Sequence, residues 1–208
     1  MKLTLYTNPM SRGRMVRWML EEIGQPYDTE IVAYGAGMKT PEYCAINPMG
    51  KVPALRHGDM VVTETAAIIA YLADAFPEAR LAPPPASPLR GPYYRWLFFA
   101  AGCLEAVMMN KVLGVVVPAD RERMVGYGSF EAVMDVLEAA VSKSAYLLGE
   151  DFSAADVYLG SQIGLGMRFG MVDKSPVFEA YYARMQARPA LQRATEIDDK
   201  LLAEASPA

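Results

Sequence analysis

Residues 47–55, NPMGKVPAL, followed by residues 63–68, TETAAI, decide how the first part of the chain is interpreted. Pro53 stands inside what would otherwise be a short apolar strand. Proline cannot donate a hydrogen bond to a sheet, and it normally marks a turn, an edge or a break. Two interpretations therefore stay open at this point. Either the stretch is not a strand, or the missing N–H donor serves a purpose.

The residues on either side of this stretch alternate between strand and helix patterns. The predicted elements are a strand at 2–6, a helix at 14–24 that ends at Gly24, a strand at 27–32, a short helix at 39–46, a hairpin over 52–64 and a helix from Thr65. A strand–helix–strand unit followed by a hairpin predicts a small mixed sheet with helices packed on its faces.

A proline-rich segment separates this pattern from the rest of the chain, since residues 76–88 carry five prolines. We therefore predict a first domain at residues 1–78, a linker at 79–88 and a second domain at 89–208.

The second domain shows helix patterns and no strand signals. Long helices are predicted at 92–114 and within 121–148, although Gly126 and Gly128 weaken the middle of the latter. Ser153 and Asp156 have the spacing of a capping box, which predicts the start of a buried helix. Two further helices follow, divided at Pro189.

Composition excludes several classes of function. The net charge of -4 and the lack of a basic run argue against a nucleic-acid partner. The longest apolar runs, 96–104 and 112–117, are shorter than the ~20 residues that a membrane span needs. Cys44 and Cys103 form no metal-binding spacing, and the single histidine, His57, excludes a multi-histidine metal site. His57 is expected to lie solvated in a hairpin turn.

The redox compartment follows from the same composition. With 14 methionines, two widely separated cysteines and no apparent secretory signal, the chain is expected in the reducing cytoplasm.

The quoted stretches, together with FSAADV at residues 152–157, resemble the patterns of cytosolic glutathione transferases, NPxGxVPxL and E-S-x-A-I. The resemblance covers essentially the whole chain, with Thr65 where serine is more usual. It implies a thioredoxin-like α/β N-terminal domain followed by an all-α C-terminal domain. It also implies glutathione as co-substrate, no metal or other cofactor, and a homodimer.

The resemblance assigns contacts for two parts of glutathione. It implies a cis bond between Val52 and Pro53, so that the cysteine backbone of glutathione pairs with Val52 like an added strand. The alternative is a trans proline that merely opens a hairpin. The helix start at Thr65 is expected to hold the γ-glutamyl carboxylate, because a helix N-terminus binds anions, and Glu64 to hold the ammonium or orient the loop. Thr63 or Thr65 can also be a simple helix cap, and capping is compatible with binding.

The remaining contacts are less specific. Lys39 and Lys51 are candidates for the glycyl carboxylate, although each lysine is equally expected as a solvated surface charge. Residues that can line the pocket for a second substrate, or belong to the helical core instead, are Arg95, Trp96, Met108, Met109 and Arg168.

Two hydroxyl groups compete to stabilise the glutathione thiolate, which is the reactive form of the thiol. Ser11 lies at the turn into the first helix, beside the charges of Arg12 and Arg14, and we favour it as the catalytic residue. Tyr6 ends the first strand, where tyrosine-type relatives keep their thiol-facing residue, and is the alternative. The alternative, non-catalytic role of Ser11 is a plain helix cap, and that of Tyr6 is an aromatic side chain packed in the core or at the end of the sheet.

We therefore expect a transferase that activates glutathione for attack on small, largely apolar electrophiles, a chemistry typical of detoxification. A protein that binds glutathione or other ligands with little turnover is one alternative, because a fold alone does not impose chemistry. A glutathione-dependent peroxidase or thiol reductase is another, but position 11 holds serine rather than cysteine.

Overall fold

Four short strands form one mixed sheet within the described residues: β1 (Leu3–Thr7), β2 (Tyr27–Ile31), β3 (Ala54–His57) and β4 (Met60–Thr63). Their order across the sheet is β2-β1-β3-β4. Strand β1 runs parallel to β2 and antiparallel to β3, and β3 pairs antiparallel with β4. This computed structural model describes residues 1–205, so residues 206–208 of the predicted second domain lie outside the described part. The predicted thioredoxin-like sheet is confirmed.

The helices follow the chain in the predicted order. They are α1 (Gly13–Ile23), α2 (Pro41–Cys44), α3 (Thr65–Ala75), α4 (Arg90–Phe98), α5 (Glu105–Leu113), α6 (Phe130–Val141), α7 (Ala154–Arg168), α8 (Pro176–Gln186) and α9 (Pro189–Ala205). Short 3-10 turns lie at Gly35–Lys39, Pro77–Ala79 and Ala119–Met124.

The chain divides into two compact units. The first contains Met1–Ala79 together with the chain from Ala187 onward, and the second contains Arg80–Gln186. The boundary after Ala79 falls in the predicted linker. Helix α9, however, belongs to the first unit, whereas the sequence analysis placed it in the second domain. Its partner is α1, more than 160 residues away in the chain, and no local sequence signal reports such a pairing.

Alternation and helical periodicity explain the core of the first unit. Leu3 and Leu5 are fully or almost fully buried on one face of β1. Helix α1 ends as predicted, because Gly24 takes a left-handed conformation with φ +66° and its N–H donates to the carbonyl of Leu20.

The second unit contains a continuous helical run from Arg90 to Leu113, in which α4 passes into α5 through a π-helical turn at Phe99–Leu104. This run of 24 residues is long and apolar enough, by length and composition alone, to cross a membrane. Each apolar run within it is too short by itself, so no span was predicted from the sequence. A core helix of a soluble protein passes the same test.

The prediction of one long helix within 121–148 is wrong. The chain forms a 3-10 turn at Ala119–Met124, and helix α6 begins only after the N-cap Ser129. Gly128 interrupts the helix with a φ of +70°, a conformation that glycine adopts at little cost. The prediction therefore gave too much weight to the helical periodicity and too little to the two glycines, which had indicated this break.

The capping box at the start of α7 is confirmed and fully buried. The carboxylate of Asp156 accepts hydrogen bonds from the backbone N–H and the hydroxyl of Ser153, at 3.0 and 2.9 Å. It also accepts from the N–H of Leu147 and the hydroxyl of Tyr181, both at 2.8 Å. One carboxylate therefore joins the start of α7 to the preceding loop and to α8.

Removing this carboxylate should destabilise the protein strongly. We expect Asp156→Ala to lower the free energy of unfolding by about 3 kcal/mol, because four buried or half-buried donors lose their acceptor. Ser129→Ala is the control, since its hydroxyl caps α6 in exposed surroundings at 3.1 Å from the N–H of Ala132. That substitution should cost about 1 kcal/mol. Urea unfolding measures both values, and equal losses would contradict a special role for Asp156.

Candidate functional site

The peptide bond between Val52 and Pro53 is cis, as the sequence analysis expected. Pro53 is buried and Val52 half-buried. The pairing between β1 and β3 ends at Tyr6 and Ala54, so Val52 lies beyond the last paired position of the sheet. The backbone of Val52 is therefore presented at the end of a strand rather than used within the ladder.

The loop before Val52 is held by two side chains that converge on one carbonyl group. The amide nitrogen of Asn47 and the hydroxyl of Tyr43 both donate to the carbonyl of Lys51, each at 2.8 Å. Asn47 is buried, and its amide oxygen accepts from the N–H of Met49 at 3.1 Å. Burial, with a smaller contribution from Tyr6, raises the pKa of Tyr43 to about 12, so its hydroxyl keeps the proton that it donates.

The two candidate lysines are both exposed but differ in their contacts. The ammonium group of Lys39 donates to the carbonyls of Met49 and Gly50, at 2.8 and 3.1 Å. Gly50 has a φ of +57°, and a Cβ added there would lie 2.5 Å from the carbonyl oxygen of Met38. Lys39 therefore hydrogen-bonds to the same loop that Asn47 supports, whereas Lys51 is the last residue of that loop before Val52.

Helix α3 begins without a side-chain cap. Its N-cap is Glu64, an exposed residue with a φ of +67°, a conformation that is rare outside glycine. Thr65 is the first helical residue and is buried, so the interpretation of Thr65 as the cap itself is not what the structure shows. The first N–H groups of a helix lack partners within the helix, and here no side chain supplies one.

Ser11 lies in a tight turn before α1. Its hydroxyl donates to the carbonyl of Asn8 at 2.7 Å and accepts from the N–H of Gly13 at 2.9 Å. The N–H of Ser11 also donates to the carbonyl of Asn8, at 2.9 Å. Gly13 packs so closely on Thr7 that an added Cβ would lie 1.8 Å from the threonine hydroxyl. The start of α1 therefore rests on the face of β1 that carries Thr7.

Tyr6 lies on the opposite face of β1, because neighbouring residues of a strand alternate between faces. Its ring packs against a buried cluster that includes Tyr43, with ring centres 6.2 Å apart, and Val52 packs against the same cluster. The guanidinium group of Arg56 lies 5.7 Å from the centre of the Tyr6 ring. The structure therefore brings Tyr6 and Val52 to the same buried cluster, and it brings Ser11 next to the start of α1.

The candidates for a second pocket lie in the second unit and have mixed surroundings. Met108 is fully buried and Trp96 almost so, which makes both part of the helical core. Arg95 and Arg168 are exposed, and Arg95 lies 4.0 Å above the ring of Trp96. Met109 is half-buried.

The prediction of a solvated His57 is wrong. Its ring nitrogen Nδ1 lies 2.6 Å from the hydroxyl of Tyr71, and its ring stacks on Phe76 with centres 5.7 Å apart. Cys44 and Cys103 are free and half-buried. Across residues 1–205, no group of three or more histidine, cysteine, aspartate or glutamate side chains has the arrangement of a metal site.

Sequence reasoning missed the two buried asparagines that shape the site. Asn8 resembles Asn47: its amide oxygen accepts from the N–H of Met10 at 3.0 Å, and its amide nitrogen donates to the carbonyl of Val32 at 3.1 Å. Both asparagines begin the same tripeptide, Asn-Pro-Met, at residues 8–10 and 47–49. The Asn-Pro dipeptide favours turns, and its repetition was a signal that could have identified both residues.

The mixed sheet, the cis bond before β3 and the uncapped start of α3 define a thioredoxin-like domain joined to a helical domain. A family model described as "Glutathione S-transferase, N-terminal domain" matches residues 1–74. Glutathione S-transferase F10 of Arabidopsis thaliana is 31% identical over 170 residues, which cover 76% of this chain and 77% of that protein. Maleylacetoacetate isomerase of Pseudomonas aeruginosa is 29% identical over 206 residues, covering 93% and 95%.

Solved structures agree with these relatives. The glutathione transferase URE2P6 of Phanerochaete chrysosporium, in complex with oxidised glutathione, superposes with a TM-score of 0.79. It is 28% identical and covers 96% of this chain and 97% of its own. The chain belongs to the glutathione S-transferase family. It is an enzyme that uses glutathione as co-substrate.

The support of the Lys51 carbonyl can be tested by unfolding. We expect Asn47→Ala to lower the free energy of unfolding by about 2 kcal/mol. The N–H of Met49 loses its acceptor, and the carbonyl of Lys51 loses one of its two donors. Tyr43→Phe removes a single bond and should cost about 1 kcal/mol. Urea unfolding measures both, with Lys51→Ala as the control that leaves the carbonyl in place. Losses no larger than that of the control would contradict this role.

Proposed function

We propose that glutathione binds with its cysteine residue extended along Val52, so that the two backbones exchange hydrogen bonds like neighbouring strands. The observation that carries the proposal is the position of Val52 just beyond the last pair of β1 and β3, in a cis bond to Pro53. The supports from Asn47 and Tyr43 favour it, because a fixed backbone loses less entropy on binding than a mobile one.

The γ-glutamyl end of glutathione is proposed to bind at the start of α3. Its carboxylate would accept from the uncapped N–H groups of the first turn and from the hydroxyl of Thr65. Its ammonium group would pair with the carboxylate of Glu64. The positive φ of Glu64 supports this assignment, since residues held in strained backbone conformations cluster at active sites and ligand-binding sites.

The glycyl carboxylate is proposed to bind Lys51, with Lys39 as a second cation. Lys51 directly precedes Val52 in the chain and is exposed. Lys39 already donates to two carbonyls, and an ammonium group has three donor hydrogens, so one is left for a ligand.

Ser11 is proposed as the residue that stabilises the thiolate, with Tyr6 as the alternative. Lowering the thiol pKa by two units requires ~3 kcal/mol of preferential stabilisation. The hydroxyl proton of Ser11 would turn from the carbonyl of Asn8 to the sulfur. That carbonyl would keep the N–H of Ser11, at 2.9 Å, as its donor. Tyr6 is less favoured, because its ring packs on the face of β1 opposite to Thr7 and the start of α1.

The thiolate would then attack a small, largely apolar electrophile, as in detoxification. Arg95, Met109 and Arg168 remain candidates for binding this second substrate, whereas the buried Met108 and Trp96 serve as core residues. A glutathione-dependent isomerase is a second candidate, favoured by the full-length similarity to maleylacetoacetate isomerase.

We also propose a cytoplasmic homodimer. Helices α4 and α5 expose large apolar side chains, among them Phe98 at 73% and Leu113 at 72% of their surface. Exposed apolar side chains on one continuous helix are typical of an interface. The two free cysteines suit a reducing compartment.

Calorimetry with glutathione and conjugation of chlorodinitrobenzene test the proposed function. We expect the wild type to bind glutathione and to conjugate the probe. Ser11→Ala should raise the pKa of the bound thiol by about one unit and reduce the rate at pH 7 about tenfold. Tyr6→Phe should change neither. If Tyr6→Phe raises the thiol pKa and Ser11→Ala does not, the catalytic assignment moves to Tyr6. A lack of binding by the wild type would refute the function as a whole.

Two substitutions of Glu64 distinguish its effect on glutathione binding from the effect of its strained backbone on stability. Glu64→Gly should raise the free energy of unfolding by about 1 kcal/mol, because glycine adopts a positive φ without strain. The same variant should weaken glutathione binding at least about tenfold, because the ligand ammonium loses its charged partner. Glu64→Gln keeps the strain and should weaken binding without stabilising the fold. Calorimetry and urea unfolding would contradict the assignment if both variants bound like the wild type.

A further inference from the structure

Helices α1 and α9 are joined by a row of ion pairs within the first unit. From one end to the other, the pairs are Arg14–Asp199, Arg17–Asp198 at 2.9 Å, Glu21–Arg193 at 3.0 Å and Glu22–Arg188 at 2.6 Å. The charges of α1 oppose its dipole, since Arg14 lies in its first turn and the two glutamates in its last. The ion pairs with α9 therefore outweigh the unfavourable interaction of these charges with the dipole of α1.

Arg14 differs from the other members of this row because it also contacts the turn that carries Ser11. Its Nε donates to the carbonyl of Pro9 at 2.6 Å, while the neighbouring nitrogen Nη2 donates to Asp199. A planar guanidinium group bonds to two partners in fixed directions, so the position of Asp199 determines how Arg14 meets Pro9.

The same turn is held at two other points. The amide of Asn8 donates to the carbonyl of Val32, directly after β2, and the hydroxyl of Ser11 bonds within the turn and to the start of α1. Arg14 supplies a third point, between the other two in the chain. The bond from Arg14 holds the carbonyl of Pro9, whereas the next residue, Met10, is held by the bond from its N–H to the amide oxygen of Asn8.

We propose that Arg14 and Asp199 are positioning residues, which hold the turn of Ser11 in the geometry that thiol activation needs. Helix α9 thereby takes part in building the active site. This inference rests on the proposed function, in which the thiol meets the start of α1. A small displacement of such a turn would affect the chemical step more than the binding of the tripeptide, most of whose contacts lie at Val52 and α3.

The first test compares two exposed ion pairs between the same helices. Asp199→Asn and Arg14→Gln should raise the pKa of the bound glutathione thiol by about one unit, which lowers the thiolate fraction at pH 7 about tenfold. The dissociation constant for glutathione should change less than twofold. Arg193→Gln is the matched control, because it breaks the pair with Glu21 far from the turn and should leave the thiol pKa unchanged. Thiolate absorbance as a function of pH, and calorimetry, measure these quantities.

A charge reversal separates positioning from simple helix packing. The double variant Arg14→Asp with Asp199→Arg can restore the ion pair, but an aspartate cannot donate to the carbonyl of Pro9. We therefore expect stability to recover relative to the single variants while the thiol pKa stays raised. Recovery of both quantities, or an equal effect of Arg193→Gln on the thiol pKa, would overturn the proposal.

Amide exchange in the protein without glutathione distinguishes this proposal from the function on which it rests. The N–H groups of Ser11 and Gly13 should exchange faster in Arg14→Gln than in the wild type, and at the wild-type rate in Arg193→Gln. If the wild type binds no glutathione, the proposed function fails and the exchange rates still decide whether Arg14 orders the turn. Equal exchange in all three proteins would refute that role.

Discussion

The carbonyl of Lys51 accepts two hydrogen bonds, from Asn47 and Tyr43, and the presentation of the next residue depends on them. Both donors lie in one short helical region, around α2, that the sequence places just before the loop. Because they converge on the peptide that precedes Val52, the end of β3 is fixed from outside the sheet. A strand end is ordinarily a place where the backbone frays, and here two side chains hold it.

The Asn-Pro-Met tripeptide holds the backbone of the site in the same way at residues 8–10 and 47–49. In each copy the buried asparagine accepts from the N–H two residues on, and its amide nitrogen donates to a backbone carbonyl outside the tripeptide. Such turns satisfy their own polar groups, so they remain rigid while leaving neighbouring backbone and hydroxyl groups available. The two copies hold the turn of Ser11 and the loop before Val52, which are the parts of the site proposed to meet the thiol and the cysteine backbone.

Much of this architecture was visible in the sequence, because its signals are local. The alternation of β1, the Gly24 stop and the Ser153–Asp156 spacing predicted the elements that formed. The family resemblance supplied the cis bond at Pro53. The errors have physical causes of another kind. His57 is half-buried because α3 brings Tyr71 and Phe76 against it, and α9 joins the first unit through partners at the other end of the chain. Contacts between residues far apart in the chain leave no periodic pattern in the sequence.

The position of α9 has a consequence for how the protein is made. Synthesis proceeds from the N-terminus, so the sheet and α1 leave the ribosome long before the residues that pair with Arg14 and Arg17. The second unit, Arg80–Gln186, is contiguous and can fold as soon as it emerges. The first unit cannot bury the guanidinium group of Arg17 against Asp198 until α9 has been made. The unit that contains the sheet is thus completed after the second unit.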